Sequence, residues 1–154
     1  MKGIAELIAN HPLFAGLAPE YAELLAGCAG NVAVPAGAAV FHEGEAADRF
    51  WLIRRGRVSL ELHSPGRGQL VIETLDEGEV LGWSWLVPPY RWHFDAVALE
   101  DIGAVAFDGA CVRAKFDADP RLGYQLLSRF MPLAVDRLQA TRLRLLDLYG
   151  AAGD

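Results

Sequence analysis

Between positions 82 and 95 the chain gathers Gly82, Trp83, Ser84, Trp85, Arg91, Trp92, His93 and Asp95, three of its four tryptophans among them. These residue types bind rather than break bonds. Indoles stack on planar rings, an arginine neutralises an oxyanion, and serine and aspartate exchange hydrogen bonds. Trp83, Trp85, Tyr90, Trp92 and Phe94 bring a third of the chain's aromatic residues into this short stretch. It starts from the Asp76-Glu77-Gly78 turn, runs through one apolar segment that Pro88 and Pro89 must end, and resumes as a strand-like run to Leu99. A helix of a turn or two between strands leaves backbone N–H groups free for a polar or anionic ligand. Residues 78–95 are therefore expected to be a ligand-facing cassette.

Plainer roles compete for the same side chains. The tryptophans can fill the interior, Arg91 can pair with Asp95 or Glu79, and His93 can be a hydrogen-bonded structural histidine held by Asp95. His11, His42, His63 and His93 are too dispersed for a metal site. No nucleophile–base pairing and no glycine loop of the nucleotide-hydrolase type stands out, so no catalytic residue and no metal ligand is assigned.

The elements that must hold the cassette follow from periodicity. Ile4, Leu7 and Ile8, then Tyr21, Leu24, Leu25 and Cys28, carry helical spacing broken at His11-Pro12 and restarted after Leu17-Ala18-Pro19, which predicts two short N-terminal helices within 1–30. From Asn31 the period falls to two. Strand-like runs at 31–34, 38–42, 49–54, 57–63, 69–74, 96–99 and 103–107 alternate with glycine-rich turns, the pattern of a small antiparallel barrel or jelly roll over 31–108. After Asp108 the helical period returns, with a short helix at 111–116, a start at Asp119-Pro120, and helices at 121–130 and 133–149 ending at Gly150. Pro132, costing roughly 3 kcal/mol inside a helix, predicts a kink or break there. Beyond it Leu138 and Leu145, with Thr141 and Leu148, draw one stripe that either the barrel or a second copy must cover.

Composition bounds the rest. With 154 residues, 53% hydrophobic and 22% charged, the chain is expected to form one domain. The net charge of −6 gives no general attraction for polyanions. Glu6 precedes any apolar core of a leader, and no apolar run approaches the ~20 residues that span a bilayer, so a cytosolic protein that binds no membrane is expected. Cys28 and Cys111, far apart and in no metal spacing, are expected to be reduced and buried.

Taken together, Phe41-His42-Glu43-Gly44-Glu45, Arg54-Arg55-Gly56-Arg57-Val58, Glu77-Gly78-Glu79-Val80-Leu81-Gly82 and Arg137-Leu138-Gln139-Ala140-Thr141 resemble the cyclic-nucleotide-binding domain of the catabolite-activator and kinase-regulatory superfamily, over about Leu13 to Tyr149. The resemblance implies a mainly β fold with flanking helices: an eight-stranded jelly roll carrying a short phosphate-binding helix, then a long helix that caps the pocket and pairs subunits. It also implies cyclic AMP (cAMP) or cyclic GMP (cGMP) as regulatory ligand. In that family a glutamate follows the cassette glycine and an arginine near the end neutralises the phosphate. Here Trp83 follows Gly82. Matching Ala98-Leu99 to the family's alanine-leucine pair puts Trp92 at the arginine position, or His93 in a register differing by one, and Asp95 where a serine or threonine is usual. Thr141 matches a position from which the family's long helix reaches the base.

From Gly68 to Val112 the single basic residue is Arg91, against eight acids. Losing an arginine–phosphate contact of roughly 1.5–3 kcal/mol removes about one to two decades of affinity. A cyclic nucleotide with altered contacts, or another planar metabolite stacked on tryptophan, is the expected ligand, touching Gly82, Trp83, Ser84, Arg91, Trp92, His93, Asp95 and Thr141. The expected protein is a small-molecule-sensing regulatory module, homodimeric through its C-terminal helix, signalling to an unknown protein partner. Its alternative is a docking module whose pocket its own tryptophans fill. Only Ala151–Asp154 follow the last helix, so no helix-turn-helix and no DNA binding are expected, and Arg129, Arg137, Arg142 and Arg144 are expected on a solvated or partner-facing side.

Overall fold

The computed structural model describes residues 3–153, with side chains as far as Asp147. Two short helices, α1 (Ile4–Asn10) and α2 (Pro19–Ala26), flank a 3-10 turn at Pro12–Phe14. Eight strands follow: β1 (Ala29–Val34), β2 (Ala39–Phe41), β3 (Arg49–Arg55), β4 (Val58–Ser64), β5 (Gly68–Leu75), β6 (Val80–Leu81), β7 (Asp95–Ala98) and β8 (Ile102–Asp108). A second 3-10 turn, Ser84–Leu86, lies between β6 and β7, and the chain closes with α3 (Gly109–Ala118) and α4 (Pro120–Gly153). The strands form two four-stranded antiparallel sheets, β1-β8-β3-β6 and β2-β7-β4-β5, the jelly roll expected from the turn spacing. The two-residue β6, paired through Trp51↔Leu81 and Leu52↔Val80, is too short to carry a period of two and was not legible as a separate strand.

Alternation along β3 and β8 builds two apolar cores on opposite faces of one sheet. Trp51, Ile53, Ala104 and Ala106 point between the sheets, joining Phe41, Leu60, Leu81, Trp92 and Phe94. Phe50, Leu52, Val105 and Phe107 point outward and are covered by Ile8, Phe14 and Leu25 from the N-terminal segment and Leu122, Leu126 and Phe130 from α4. A strand buried on both faces reads as an unbroken apolar run, which is why Phe50-Trp51-Leu52-Ile53 shows no alternation in type. His11 ties the N-terminal segment to the cassette turn: its Nδ1 accepts from the Leu13 N–H, and its Nε2 lies 2.6 Å from the Gly78 carbonyl.

Two expectations are corrected. Cys28 and Cys111 are not reduced; they form a disulfide with Cα atoms 5.6 Å apart. β1 pairs with β8 through Ala29↔Phe107, so the residue before one strand and the first turn of the helix after the other are neighbours despite 83 positions of separation. Nor does Pro132 break the last helix, which runs unbroken from Pro120 to Gly153, past the stop expected at Gly150. Pro132 and Ser128 are both exposed, so the carbonyl left without a donor one turn earlier faces water.

Candidate functional site

The three cassette tryptophans go to three different places. Trp85, fully buried, joins the outer core, stacked on Phe50 with centroids 4.6 Å apart. Trp92, 2% exposed, enters the core between the sheets, stacked on Phe41 at 3.8 Å and tilted against Trp51 at 5.9 Å. Only Trp83 stays half-buried, with the Arg137 guanidinium 4.7 Å above its ring. Gly82 is the hinge between these destinations. Its φ is +100°, and a Cβ on it would stand 2.8 Å from Trp92 Cη2, so both backbone and neighbour demand glycine. The space expected beside Gly82 is thus taken by the Trp92 ring.

The cassette helix is a single 3-10 turn beginning at Ser84, which is buried. α3 clamps it from outside: Arg113 Nη1 donates to the Trp85 carbonyl at 2.5 Å while its guanidinium covers the Tyr90 ring at 4.2 Å. Arg91 is exposed and its guanidinium donates to the Gly44 carbonyl at 3.4 Å, pairing with neither Asp95 nor Glu79. His93 is exposed as well. Asp95 accepts from the Glu43 N–H at 2.7 Å and from Gln69 Nε2 at 2.8 Å, with His42, not His93, 3.7 Å away. The Glu43 N–H, followed by Gln69 and His42, holds this carboxyl below the usual carboxylate range against the opposing effect of burial. The eight expected contact residues therefore do not face one common cavity.

What the structure does assemble lies one layer further out, where α4 crosses β5, the edge strand of its sheet. Leu122, Leu126 and Phe130 bury the first half of α4 in the outer core, and further along the helix Arg137 is buried in turn, with Leu133, Ala134 and Thr141 partly buried on either side of it. Arg137 is 8% exposed, so its assignment to a solvated face is overturned. Its Nε donates to Glu73 Oε2 at 2.7 Å, across from helix to edge strand. Burial pushes the guanidinium pKa below its ordinary value, and Glu73 and Glu79 oppose that shift. Three buried side-chain polar atoms lack a hydrogen-bond partner among the described residues: Ser59 Oγ, Trp85 Nε1 and Arg137 Nη1. Of these only the last carries charge.

Two hollows open along the helix, one on either side of this position in sequence, and Arg137 itself lines neither. One, of about 310 Å³, is a trough between α4 and the β4–β5 hairpin, lined by Leu62, Leu70, Ile72, Thr141, Arg144 and Leu145 among others. Thr141 is tied back to its own helix, its Oγ1 donating to the Arg137 carbonyl at 2.9 Å. The other, of about 100 Å³, lies against Trp83, Phe130 and Ala134. A more polar hollow of about 340 Å³, lined by Glu45, Asp48, Arg49, Trp51 and Trp92, opens elsewhere on the barrel. Neither Arg91 nor His93 lines any of the three. Sequence reasoning missed Glu73 and Arg137 as site residues. The signal was present in the four-residue steps Leu122, Leu126, Phe130, continued by Leu133, Arg137 and Thr141, which put an arginine on an apolar stripe where it must find a partner.

An eight-stranded jelly roll with a short 3-10 turn between β6 and β7 and a long helix laid over its edge defines the class of β domain. The chain belongs to the cyclic nucleotide-binding domain family, whose sequence model matches residues 31–119. It is 26% identical over 143 residues to the CRP-like cAMP-activated global transcriptional regulator of Mycobacterium tuberculosis, covering 93% of this chain and 62% of that protein. With the cyclic AMP receptor protein of Thermus thermophilus it shares 31% identity over 140 residues, covering 89% of this chain and 59% of that one. A cyclic nucleotide-binding domain from Methylobacillus flagellatus shares the fold, with a TM-score of 0.78 at 21% identity over 94% of this chain and 82% of that one. The chain thus spans about three fifths of the length of the curated relatives it matches. No helix among the described residues is long and apolar enough to cross a membrane.

Proposed function

We propose that this chain is a regulatory sensor domain that binds a small molecule at the α4–β5 junction and signals through α4. The observation that carries the reading is the position of Arg137. It is the last buried residue among the described positions of α4, and it is held by Glu73 of the edge strand and by the cassette's Trp83. Beyond it Leu138, Leu143, Leu145 and Leu146 are each half exposed or more. A ligand entering beside Arg137 meets an attachment of the outer half of the helix, and it shifts that helix to the extent that it prefers one helix position over the other. Relatives that are regulators named for cyclic AMP support a cyclic nucleotide as the ligand and point away from catalysis.

The readout we propose is a homodimer. Tyr124, Met131, Leu138 and Leu145 repeat every seven residues on α4 and are 75%, 63%, 52% and 50% exposed, with Leu127 and Val135 beside them. A second copy covers such a stripe, and the protein that reads the signal would engage the dimer.

A second reading rests on the buried tryptophans. With Trp92 lodged against Gly82 and Trp85 in the outer core, the cassette is filled by its own side chains, as in a docking module that takes no ligand. Titration with cyclic AMP and cyclic GMP separates the two. Ligand at a hundred times its Kd stabilises by about 2.7 kcal/mol, seen as a raised melting temperature with a change in tryptophan fluorescence. Absence of both responses favours the docking module.

A further inference from the structure

Arg54 and Arg55 are consecutive residues of β3, and consecutive strand residues ordinarily point to opposite faces of a sheet. Here both point the same way. Ile53 pairs with Ala104 and Arg55 with Gly103, so two steps along β3 match one step along β8, and a bulge lies between them. Ile53 and Ala104 face the core between the sheets. Arg54, next to the one, and Gly103, next to the other, therefore face outward, and the register sets Arg55 opposite Gly103 on that same outer side. The Arg55 side chain lies over the bare glycine: a Cβ on Gly103 would stand 3.2 Å from Arg55 Nε. The turn that follows is fixed as well, since Gly56 has a φ of +93° and a Cβ on it would run into the Asp101 carbonyl.

These residues frame a hollow of about 460 Å³ on the outside of the barrel, lined by Asn31, Val32, Arg54, Arg55, Gly103 and Ala104. It contains two guanidiniums and no acid. Arg49 and Arg144, by contrast, share their hollows with Glu45 and Asp48 and with Asp147. Neither Arg54 nor Arg55 is engaged elsewhere: among the described residues the arginine side chains that make hydrogen bonds are those of Arg57, Arg91, Arg113, Arg129 and Arg137. On the adjoining turns, Asp76 is taken by Arg57 at 2.8 Å and Asp101 accepts from the Ala36 N–H at 2.9 Å. Bulges re-aim side chains beside functional sites, and this one puts two like charges side by side on a strand that the cores hold rigid.

The charge count selects the guest. Two guanidiniums offer ten N–H donors and two positive charges, and the Asn31 carboxamide adds donors of its own. A carboxylate or a phosphodiester brings one negative charge, whereas a terminal phosphoryl group brings close to two, with three acceptor oxygens. The chain's net charge of −6 repels anions in general, so such a group is held only where the basic residues are concentrated and free of acids. We infer that the Arg54–Arg55 hollow is an anion site for a terminal phosphoryl group, free or on a small metabolite. It belongs to the β1-β8-β3-β6 sheet and not to the sheet that carries β5, so it is separate from the ligand proposed at the α4–β5 junction and independent of that reading.

The test titrates inorganic phosphate, pyrophosphate and the monoester glycerol phosphate, with acetate as a monoanion, into the intact chain at constant ionic strength, and follows backbone amide resonances by NMR. The site predicts saturable shifts at Asn31, Arg55 and Gly103 with the phosphoryl anions and none with acetate. Tighter binding of the ester points to a metabolite and tighter binding of the free ion to phosphate itself; both support the site. Arg54→Gln and Arg55→Gln, at exposed positions, are each expected to bind at least about threefold weaker, the loss of a partly screened charge-assisted contact. Asn31→Asp, which sets a carboxylate in the hollow, is expected to bind weaker than the parent as well, and Arg67→Gln, an exposed arginine on the β4–β5 turn, to bind as the parent does. Shifts that grow without saturating, acetate acting as phosphate does, or Arg67→Gln costing as much affinity as Arg54→Gln would each overturn the site. Parental affinity in both Arg54→Gln and Arg55→Gln would overturn it too.

Discussion

Gly82 and Trp92 are in direct contact: a methyl group on the glycine would stand 2.8 Å from Trp92 Cη2 and 3.1 Å from Cζ3. Trp92 cannot retreat, because Phe41 is stacked on it at 3.8 Å with an interplanar angle of 8° and Trp51 is tilted against it. Gly82→Ala therefore combines a left-handed backbone with a steric clash and is expected to destabilise the fold by about 1–3 kcal/mol. Urea unfolding measures it. A Gly82→Ala protein as stable as the parent would show that the ring is not lodged there.

The disulfide closes a loop spanning 83 positions and joins the N-terminal segment to α3. Reduction is expected to cost about 2–4 kcal/mol, read as a lower melting temperature with dithiothreitol and reproduced by Cys28→Ser with Cys111→Ser. A melting temperature indifferent to reductant would contradict the pairing.

Asp95 sets part of the acid limit. Its carboxyl titrates lower in the folded state than in the unfolded chain because the Glu43 N–H, then Gln69 and His42, favour the charged form. A depressed folded value contributes stability that is complete above the ordinary carboxylate range and is lost as pH falls through the lowered one. Asp95→Asn is expected to melt below the parent at pH 7 and to converge on it below about pH 4, since the parent alone loses this contribution. A constant difference from pH 7 to pH 3 would show that Asp95 contributes nothing through its charge.

The apolar stripe of α4 predicts association. At tens of micromolar, light scattering is expected to return twice the chain mass for the parent and one chain mass for Leu138→Glu, whose side chain is half exposed in the single chain and so leaves its fold intact. A parent that scatters as a monomer would contradict the dimer.

How much of this was legible beforehand depended on whether a residue's environment is local. Turn glycines, the two-residue period from Asn31 and the helix starts at Pro19 and Pro120 are local signals, and the elements formed where they pointed. β6 and the disulfide are not local: one owes its pairing to β3 and the other to the β1–β8 register. The cassette's concentration of tryptophan was real, yet which side of the β1-β8-β3-β6 sheet each ring entered was set by Gly82 and the 3-10 turn, which no period reveals. Arg137 was read as one basic residue among four on the terminal helix, although its stripe through Leu126 and Phe130 already placed it against the barrel. Glu73 became visible as its partner only once β5 was known to be an edge strand beneath α4.

The central claim is that a ligand at the α4–β5 junction changes how α4 is held. Hydrogen exchange of the amides from Ala134 to Asp147, with and without saturating cyclic AMP, tests it most directly. The account predicts that exchange in this segment changes severalfold on binding while amides of β3 and β8 in the core keep their rates. Binding registered by tryptophan fluorescence with no change in exchange from Ala134 to Asp147 would contradict it.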